Sequence, residues 1–156
     1  MQWRQLMSDI REKARQFVIA LANVDTTYSA STTKIGSQPT ELWLMYALDD
    51  GKSHSQKQIC DEWGFPRTTL NTIIKKCEEA GYLTLSLIPG KRREMQICLT
   101  ESGKAYAKQL LGFFYQAENR AMEETLKHYP AEFIDAIIYY NKSLRAEFDR
   151  ELGIDG

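Results

Sequence analysis

The sequence predicts a mainly α-helical protein with a small β-sheet of two or three strands, an α+β class. Apolar residues recur at helical spacing over most of the chain. Two short runs, residues 83–87 and 95–99, instead alternate apolar and polar side chains, as half-buried strands do. Pro89-Gly90 lies between them and is typical of a tight turn. These observations predict one β-hairpin set among helices.

Composition and charge limit the class of protein. The chain has 156 residues, of which 43% are hydrophobic and 26% charged, as in an ordinary globular protein. It contains neither a membrane-length apolar run nor a signal-peptide core, so we expect a cytoplasmic protein with no membrane partner. Cys60, Cys77 and Cys98 form no C-x-x-C pair, which favours reduced cysteines, with redox sensing as the alternative.

The first 50 residues predict two helices separated by a loop. Residues 3–22 carry apolar side chains at helical spacing. Residues 24–38 are rich in Ser and Thr and are expected to form a loop. A second helix is expected from about Pro39 to Leu48, because proline is favoured in a first helical turn.

The middle of the chain predicts a winged helix-turn-helix. Ser55 and Gln58 have the spacing of a capping box, and Gly64 suits the end of the short helix that this box begins. Pro66 prepares a second helix, which Gly81 ends. Two short helices joined by a glycine-containing turn form a helix-turn-helix, and the hairpin after them is a wing with residues 89–93 at its tip.

The last third predicts helices that need a partner. Thr100 suits the N-cap of a helix that reaches about residue 127 with two apolar stripes, and Pro130 opens a final helix. A small middle domain cannot cover so much apolar surface, so we expect a homodimer, with a monomeric helix bundle as the alternative. The predicted domains are residues 1–36 (dimerisation helix and loop), 37–100 (winged helix-turn-helix) and 101–156 (dimerisation helices).

Bases gather in the middle third of a chain whose net charge is -1. On the second helix of the motif, Leu70, Ile73 and Ile74 share a core stripe, and the other sides are polar and free of acids before Glu78. Thr, Asn, Arg and Lys are side chains that contact phosphates and base edges in a major groove. The candidate recognition residues are Arg67, Thr68, Thr69, Asn71, Thr72, Lys75 and Lys76.

Three consecutive bases occupy the tip of the predicted wing. Arg93 is the candidate for insertion into the minor groove beside the recognition helix, with Lys91 and Arg92 on flanking phosphates. Two such units related by a dimer axis would read a pseudo-palindromic operator in double-stranded DNA. The alternative that stays open is a winged-helix protein–protein interaction module without specific DNA binding.

Residues 55–107 resemble the MarR family of bacterial transcription regulators. The resemblance rests on a helix-turn-helix that ends in Glu-Glu-Ala-Gly-Tyr (residues 78–82), an arginine-bearing wing, and Leu-Thr-Glu-Ser-Gly (residues 99–103) at a helix start. It implies a homodimeric DNA-binding regulator, expected here to be a repressor, with Arg93 as the wing arginine. Family members often carry Asp two residues before that arginine, whereas this chain has Lys91, and Glu94 is the candidate to orient Arg93 instead.

The same resemblance implies a crevice for a small aromatic or anionic effector. Tyr28, Trp43 and Tyr46 are the candidates to border it, and ordinary core packing is the alternative for each.

Sequence motifs do not favour an enzyme. Gly51-Lys52-Ser53 lacks the upstream glycine of a phosphate-binding loop, because Tyr46 stands at that position. His54 and His128 are the only histidines, and no hydrolase or metalloprotease motif occurs. We therefore expect no catalytic residue, no metal and no cofactor.

Overall fold

The structure, a computed structural model, describes the backbone of residues 2–154 and the side chains of residues 5–154. The end residues 1, 155 and 156 of the predicted terminal domains lie outside this range. The described chain forms six helices and three strands, as the sequence predicted for the α+β class. In order they are α1 (Gln2–Ile35), α2 (Pro39–Leu48), β1 (His54–Ser55), α3 (Gln56–Trp63), α4 (Arg67–Glu79), β2 (Leu83–Leu87), β3 (Met95–Leu99), α5 (Glu101–Leu126) and α6 (Glu132–Leu152).

The helix-turn-helix begins and turns at the predicted residues. Ser55 Oγ accepts a hydrogen bond from the backbone N–H of Gln58, and the Gln58 side chain accepts one from the backbone N–H of Ser55. Gly64 ends α3 in the left-handed conformation, at a φ of 67°. Pro66 then precedes α4, whose side chains Leu70, Ile73, Ile74 and Cys77 are all buried. The apolar stripe therefore faces the core, as the spacing predicted.

The wing is a three-stranded antiparallel sheet in the order β1-β3-β2. In the hairpin Leu85 lies opposite Ile97, and the two-residue strand β1 adds to the far side of β3. At the tip, the backbone N–H of Lys91 donates to the carbonyl of Ile88 at 3.0 Å, and Gly90 adopts a φ of 79°. Pro89-Gly90 thus forms the tight reversal that the sequence predicted.

The prediction of a loop over residues 24–38 was wrong for residues 24–35. Helix α1 continues to Ile35, and Gly36 ends it at a φ of 73°. Ser and Thr are common in loops because their hydroxyls compete for backbone hydrogen bonds, yet in a helix the same hydroxyl can donate to the carbonyl four residues earlier. The hydroxyls of Thr26, Thr27, Ser31, Thr32 and Thr33 make this bond at 2.9–3.0 Å. Thr32 is also buried, so tertiary packing supports the last turn.

The chain forms two compact units, Met1–Leu111 and Gly112–Gly156. Within the first unit, α1 leaves large apolar side chains exposed, among them Leu6, Met7, Ile10 and Val18. Within the second, α6 contains no buried residue. Its exposed apolar side chains include Ile134, Ile138, Phe148 and Leu152. Among the helices of the described range, none has the length and apolar character needed to cross a membrane.

Gly103 allows α5 to approach the start of the wing. A Cβ atom at this position would stand 1.7 Å from the backbone oxygen of Tyr82, far inside van der Waals contact. The Thr100 hydroxyl donates to the carbonyl of Gly81 at 2.6 Å and accepts from the N–H of Gly103 at 2.9 Å, which fixes the same junction. Thr100 is therefore the cap of α5 that the sequence predicted.

Substitution of Gly103 tests how closely this junction is packed. Because the added methyl group would meet backbone, we expect Gly103→Ala to lower the free energy of unfolding by about 3 kcal/mol. Gly112→Ala in the same helix is the matched control. Its Cβ would meet nothing within 4 Å, so that variant should gain up to about 1 kcal/mol. Equal stability of the two variants in urea unfolding would show that the junction is loose.

Candidate nucleic-acid interface

Helix α4, the start of α3 and the wing line one groove. Its residues come from the start of α3 (Gln56, Lys57), from α4 (Arg67, Asn71) and from the wing (residues 91–95), around a cavity of about 460 Å³. We call this cavity the basic groove, because it is lined by five cations and a single acid, Glu94. Three segments that are separate in sequence thus present their positive charge to the same space. A polyanion is the ligand that such a surface attracts.

The polar side of α4 is open to solvent. Thr68, Thr69, Asn71, Thr72 and Lys75 are all exposed, opposite the buried apolar stripe. The Thr72 hydroxyl donates to the carbonyl of Thr68 at 3.0 Å, and the first acid of the helix is Glu78. The predicted recognition residues up to Lys75 therefore lie where an external ligand can reach them.

Lys76 differs from the other predicted recognition residues. Its Nζ lies 2.7 Å from Oε2 of Glu41 in α2, and that glutamate is 7% exposed. The Tyr106 hydroxyl from α5 donates to Oε1 of the same carboxylate at 2.8 Å. The ammonium group of Lys76 is thus bound to a buried carboxylate of the same chain. We call Glu41, Lys76 and Tyr106 the Glu41 cluster.

The Glu41 cluster shifts the acidity of its members. Burial alone raises the pKa of Glu41, but the hydrogen bonds from Lys76 and Tyr106 outweigh it, and the pKa is lowered overall. The bond to Glu41 raises the pKa of Lys76, so both ends of the pair are held in their charged forms. Burial also raises the pKa of the neighbouring Cys77 thiol to about 11. That thiol is therefore protonated at neutral pH, which disfavours the reactive thiolate of a redox sensor at this position.

The bases of the wing tip are exposed, and Arg92 and Arg93 both line the basic groove. Glu94, the candidate to orient Arg93, lies 4.0 Å from Nζ of Lys91. Side-chain atoms at that separation form a weak, solvated pair.

Tyr28, Trp43 and Tyr46 come together as an aromatic cluster. The ring centroid of Trp43 lies 5.3 Å from that of Tyr28 and 5.5 Å from that of Tyr46. Trp63, which the sequence did not single out, completes the cluster at 5.5 Å from Tyr46. These centroid distances are those of packed aromatic side chains, and the three predicted residues are half-buried. Whether they also border an effector crevice stays a prediction.

Three functional candidates escaped the sequence reading. Gln56 donates a hydrogen bond to Oδ1 of Asn71, and Lys57 adds a cation to the basic groove. Both residues follow the capping serine of α3. Their position could have indicated a place beside α4, because the start of one helix in a helix-turn-helix lies near the next helix. Glu41 could not be found in this way, since only the packing of α2 against α4 brings it to Lys76. Among the described residues, no cluster of side chains could hold a metal ion.

Comparison with known proteins finds a family resemblance in the winged region. Residues 35–94 match the sequence model of the MarR family. No curated protein has a matching sequence. Among solved structures, a MarR family regulator from Neisseria meningitidis is 15% identical with a TM-score of 0.69, and the match covers 90% of this chain and 96% of that one. A MarR/EmrR family transcriptional regulator from Acinetobacter is 22% identical with a TM-score of 0.57, covering 91% and 97%.

A third structure concerns regulated DNA binding. It is BpsR of Bordetella bronchiseptica, described with the regulation of its DNA binding by 6-hydroxynicotinic acid. BpsR is 18% identical with a TM-score of 0.55, and the match covers 81% of this chain and 90% of BpsR. At these identities the three structures establish that the chain shares their fold.

The pH dependence of stability tests the Glu41 cluster. Because the pKa of Glu41 is lowered on folding from its ordinary 4.5, its ionised form stabilises the folded state above about pH 4.5. That contribution is lost as the pH falls through the folded-state pKa. We expect Glu41→Gln to lower the free energy of unfolding by about 1–3 kcal/mol at pH 7, with the difference from wild type shrinking in acid.

The matched control is Glu147→Gln, which removes an exposed pair with Arg150 of the same 2.7 Å length. It should cost at most about 0.5 kcal/mol. Urea unfolding at one protein concentration measures both variants. A wild-type advantage over Glu41→Gln that grows on acidification would contradict the pKa assignment.

Proposed function

We propose, on the premise that the chain belongs to the MarR family, that it is a homodimeric transcription regulator that binds a specific pseudo-palindromic site in double-stranded DNA. In this proposal α4 enters the major groove and the wing enters the adjacent minor groove. The observation that carries it is the basic groove, in which Arg67 and Asn71 of α4 share one cavity with Arg92 and Arg93 of the wing. No role as an enzyme is proposed.

Charge and position support DNA as the ligand. Phosphate neutralisation by Lys and Arg supplies much of the affinity of any DNA-binding protein and makes it depend on salt. Base edges are then read by side chains of α4, and our candidates remain Arg67, Thr68, Thr69, Asn71, Thr72 and Lys75. Lys76 is a weaker candidate than the rest, because binding a phosphate would require its ammonium group to leave Glu41.

Exposed apolar helices support the homodimer. Both α1 and α6 present apolar side chains that a single chain leaves in solvent. A twofold partner would cover them and would set two recognition helices about 34–36 Å apart, one turn of B-DNA. Binding there would exclude other proteins from the operator, so repression is the mode that we propose. A DNA-binding role also carries the expectation of a cytoplasmic location.

A small aromatic or anionic effector is the remaining part of the proposal. It is supported by BpsR, whose DNA binding is regulated by an aromatic acid, and by the cluster of Tyr28, Trp43 and Tyr46 near the C-terminal half of α1. A winged-helix module that binds only proteins is the competing function. Such a module would not need five cations around one cavity, and its binding would lack a steep salt slope.

Replacement of the wing arginine tests the DNA interface. We expect Arg93→Ala to weaken binding to all duplexes about tenfold, because it removes one cationic contact in each subunit. The slope of log K against log salt should fall by about two for a dimer. Fluorescence anisotropy over a salt series measures both quantities. Lys108→Ala is the control, since Lys108 is exposed on α5 outside the basic groove; an equal loss in the two variants would contradict the role of the wing.

The homodimer is tested by removing apolar surface from α6. The wild-type chain should sediment at twice its mass of 18.0 kDa, and Ile138→Glu should shift it towards one chain. Ile138 is 62% exposed in the single chain, so the substitution should not disturb the fold of the subunit. Leu87→Glu, at a residue 60% exposed on the wing, is the matched control and should stay dimeric. A wild-type protein that remains monomeric at high concentration would refute the dimer.

A further inference from the structure

A hydrogen bond joins the two helices of the motif inside the basic groove. The amide nitrogen Nε2 of Gln56, the first residue of α3, donates to the amide oxygen Oδ1 of Asn71 in α4. We propose that Gln56 is a specificity-determining residue, and that Gln56 and Asn71 form one unit that reads a single adenine in the major groove. This inference rests on the proposed function and deepens it.

The residue before Gln56 is held by two sets of contacts. This residue, Ser55, is fixed by the capping box with Gln58, whose two hydrogen bonds measure 2.8 and 3.1 Å. Ser55 also belongs to β1 and lies opposite Gln96 of β3. The backbone that carries the Gln56 side chain is therefore tied to the helix on one side and to the wing sheet on the other.

Asn71 is held equally firmly. It follows Leu70, which is 0% exposed, and precedes Ile74, which is 3% exposed, so this part of α4 is anchored in the core. The Asn71 side chain itself is exposed and lines the basic groove. Because the backbone is anchored at both Gln56 and Asn71, one hydrogen bond can fix the direction of the Asn71 amide. The last side-chain torsion of asparagine otherwise has a broad distribution.

The bond leaves a defined pair of groups for a base. With its oxygen engaged by Gln56, Asn71 offers its NH2 group as a donor, and Gln56 offers its carbonyl oxygen as an acceptor. Adenine presents N7 as an acceptor and the N6 amino group as a donor in the major groove, which complements this pair. Guanine presents two acceptors there and matches it less well.

The charges of the groove bring DNA to this pair. Arg67 lies one helical turn before Asn71, and Lys57 directly follows Gln56 in the chain. Both line the basic groove with Arg93 of the wing. Cations that attract phosphates thus lie around a neutral donor and acceptor, which is the usual division between residues that position DNA and residues that read it.

Selection from a random duplex pool tests the inference with four proteins: wild type, Gln56→Ala, Asn71→Ala and the double variant. We expect wild type to require adenine at one position of each half-site. Gln56→Ala should weaken the preference for that base by roughly three- to tenfold, since Asn71 then loses the contact that orients it. The double variant should show no further loss than Asn71→Ala, because residues that act as one unit are not additive.

Lys57→Ala is the matched control on the same helix. It should lower affinity for every duplex, reduce the salt slope and leave base preference unchanged. The inference is overturned if Gln56→Ala keeps the wild-type preference, or if it relaxes a position that Asn71→Ala does not affect. A wild-type protein that enriches no sequence would overturn the proposed function as well, whereas enrichment of one site by both wild type and Gln56→Ala overturns this inference alone.

Discussion

The carboxylate of Glu41 joins the helices on which the winged domain is built. Lys76 of α4 binds one of its oxygens at 2.7 Å and Tyr106 of α5 binds the other at 2.8 Å. Tyr106 also stacks on Tyr82, the residue before β2, with a centroid distance of 4.2 Å. A buried charge that loses its partners is costly, so α2, α4, α5 and the start of the wing have one favourable arrangement. The closely packed junction at Gly103 reinforces it.

This constraint acts on a helix that lines the basic groove. The C-terminal half of α4 is tied to Glu41, and its N-terminal half presents Arg67 and Asn71 to the groove beside the wing. A surface that is already arranged in the free protein loses less entropy on binding, and this supports the selective contacts proposed for it. The same packing separates the cations into two groups. Lys76 is bound to Glu41, whereas the bases that line the groove remain exposed to solvent.

Sequence patterns predicted most of the fold because each rests on a local rule. Capping at Ser55 and the turn at Pro89-Gly90 depend only on near neighbours, so they could be read directly. The loop prediction failed over residues 24–35 because hydroxyl groups that suit a loop can also bond within a helix, and Thr32 makes such a bond while buried. The contacts of Lys76 and Asn71 join residues 35 and 15 positions apart, and no local pattern reports them. Polar candidates on a helix can therefore be named from sequence, but their partners cannot.

Chemical protection of a selected duplex by the wild-type protein tests the central claim most directly. Dimethyl sulfate methylates guanine N7 in the major groove and adenine N3 in the minor groove. If α4 and the wing bind together, the protein should protect N7 in two blocks about one helical turn apart, with N3 protection in the minor groove next to each block. Protection of a single groove, or of one half-site only, would contradict the joint action of recognition helix and wing in a symmetric dimer.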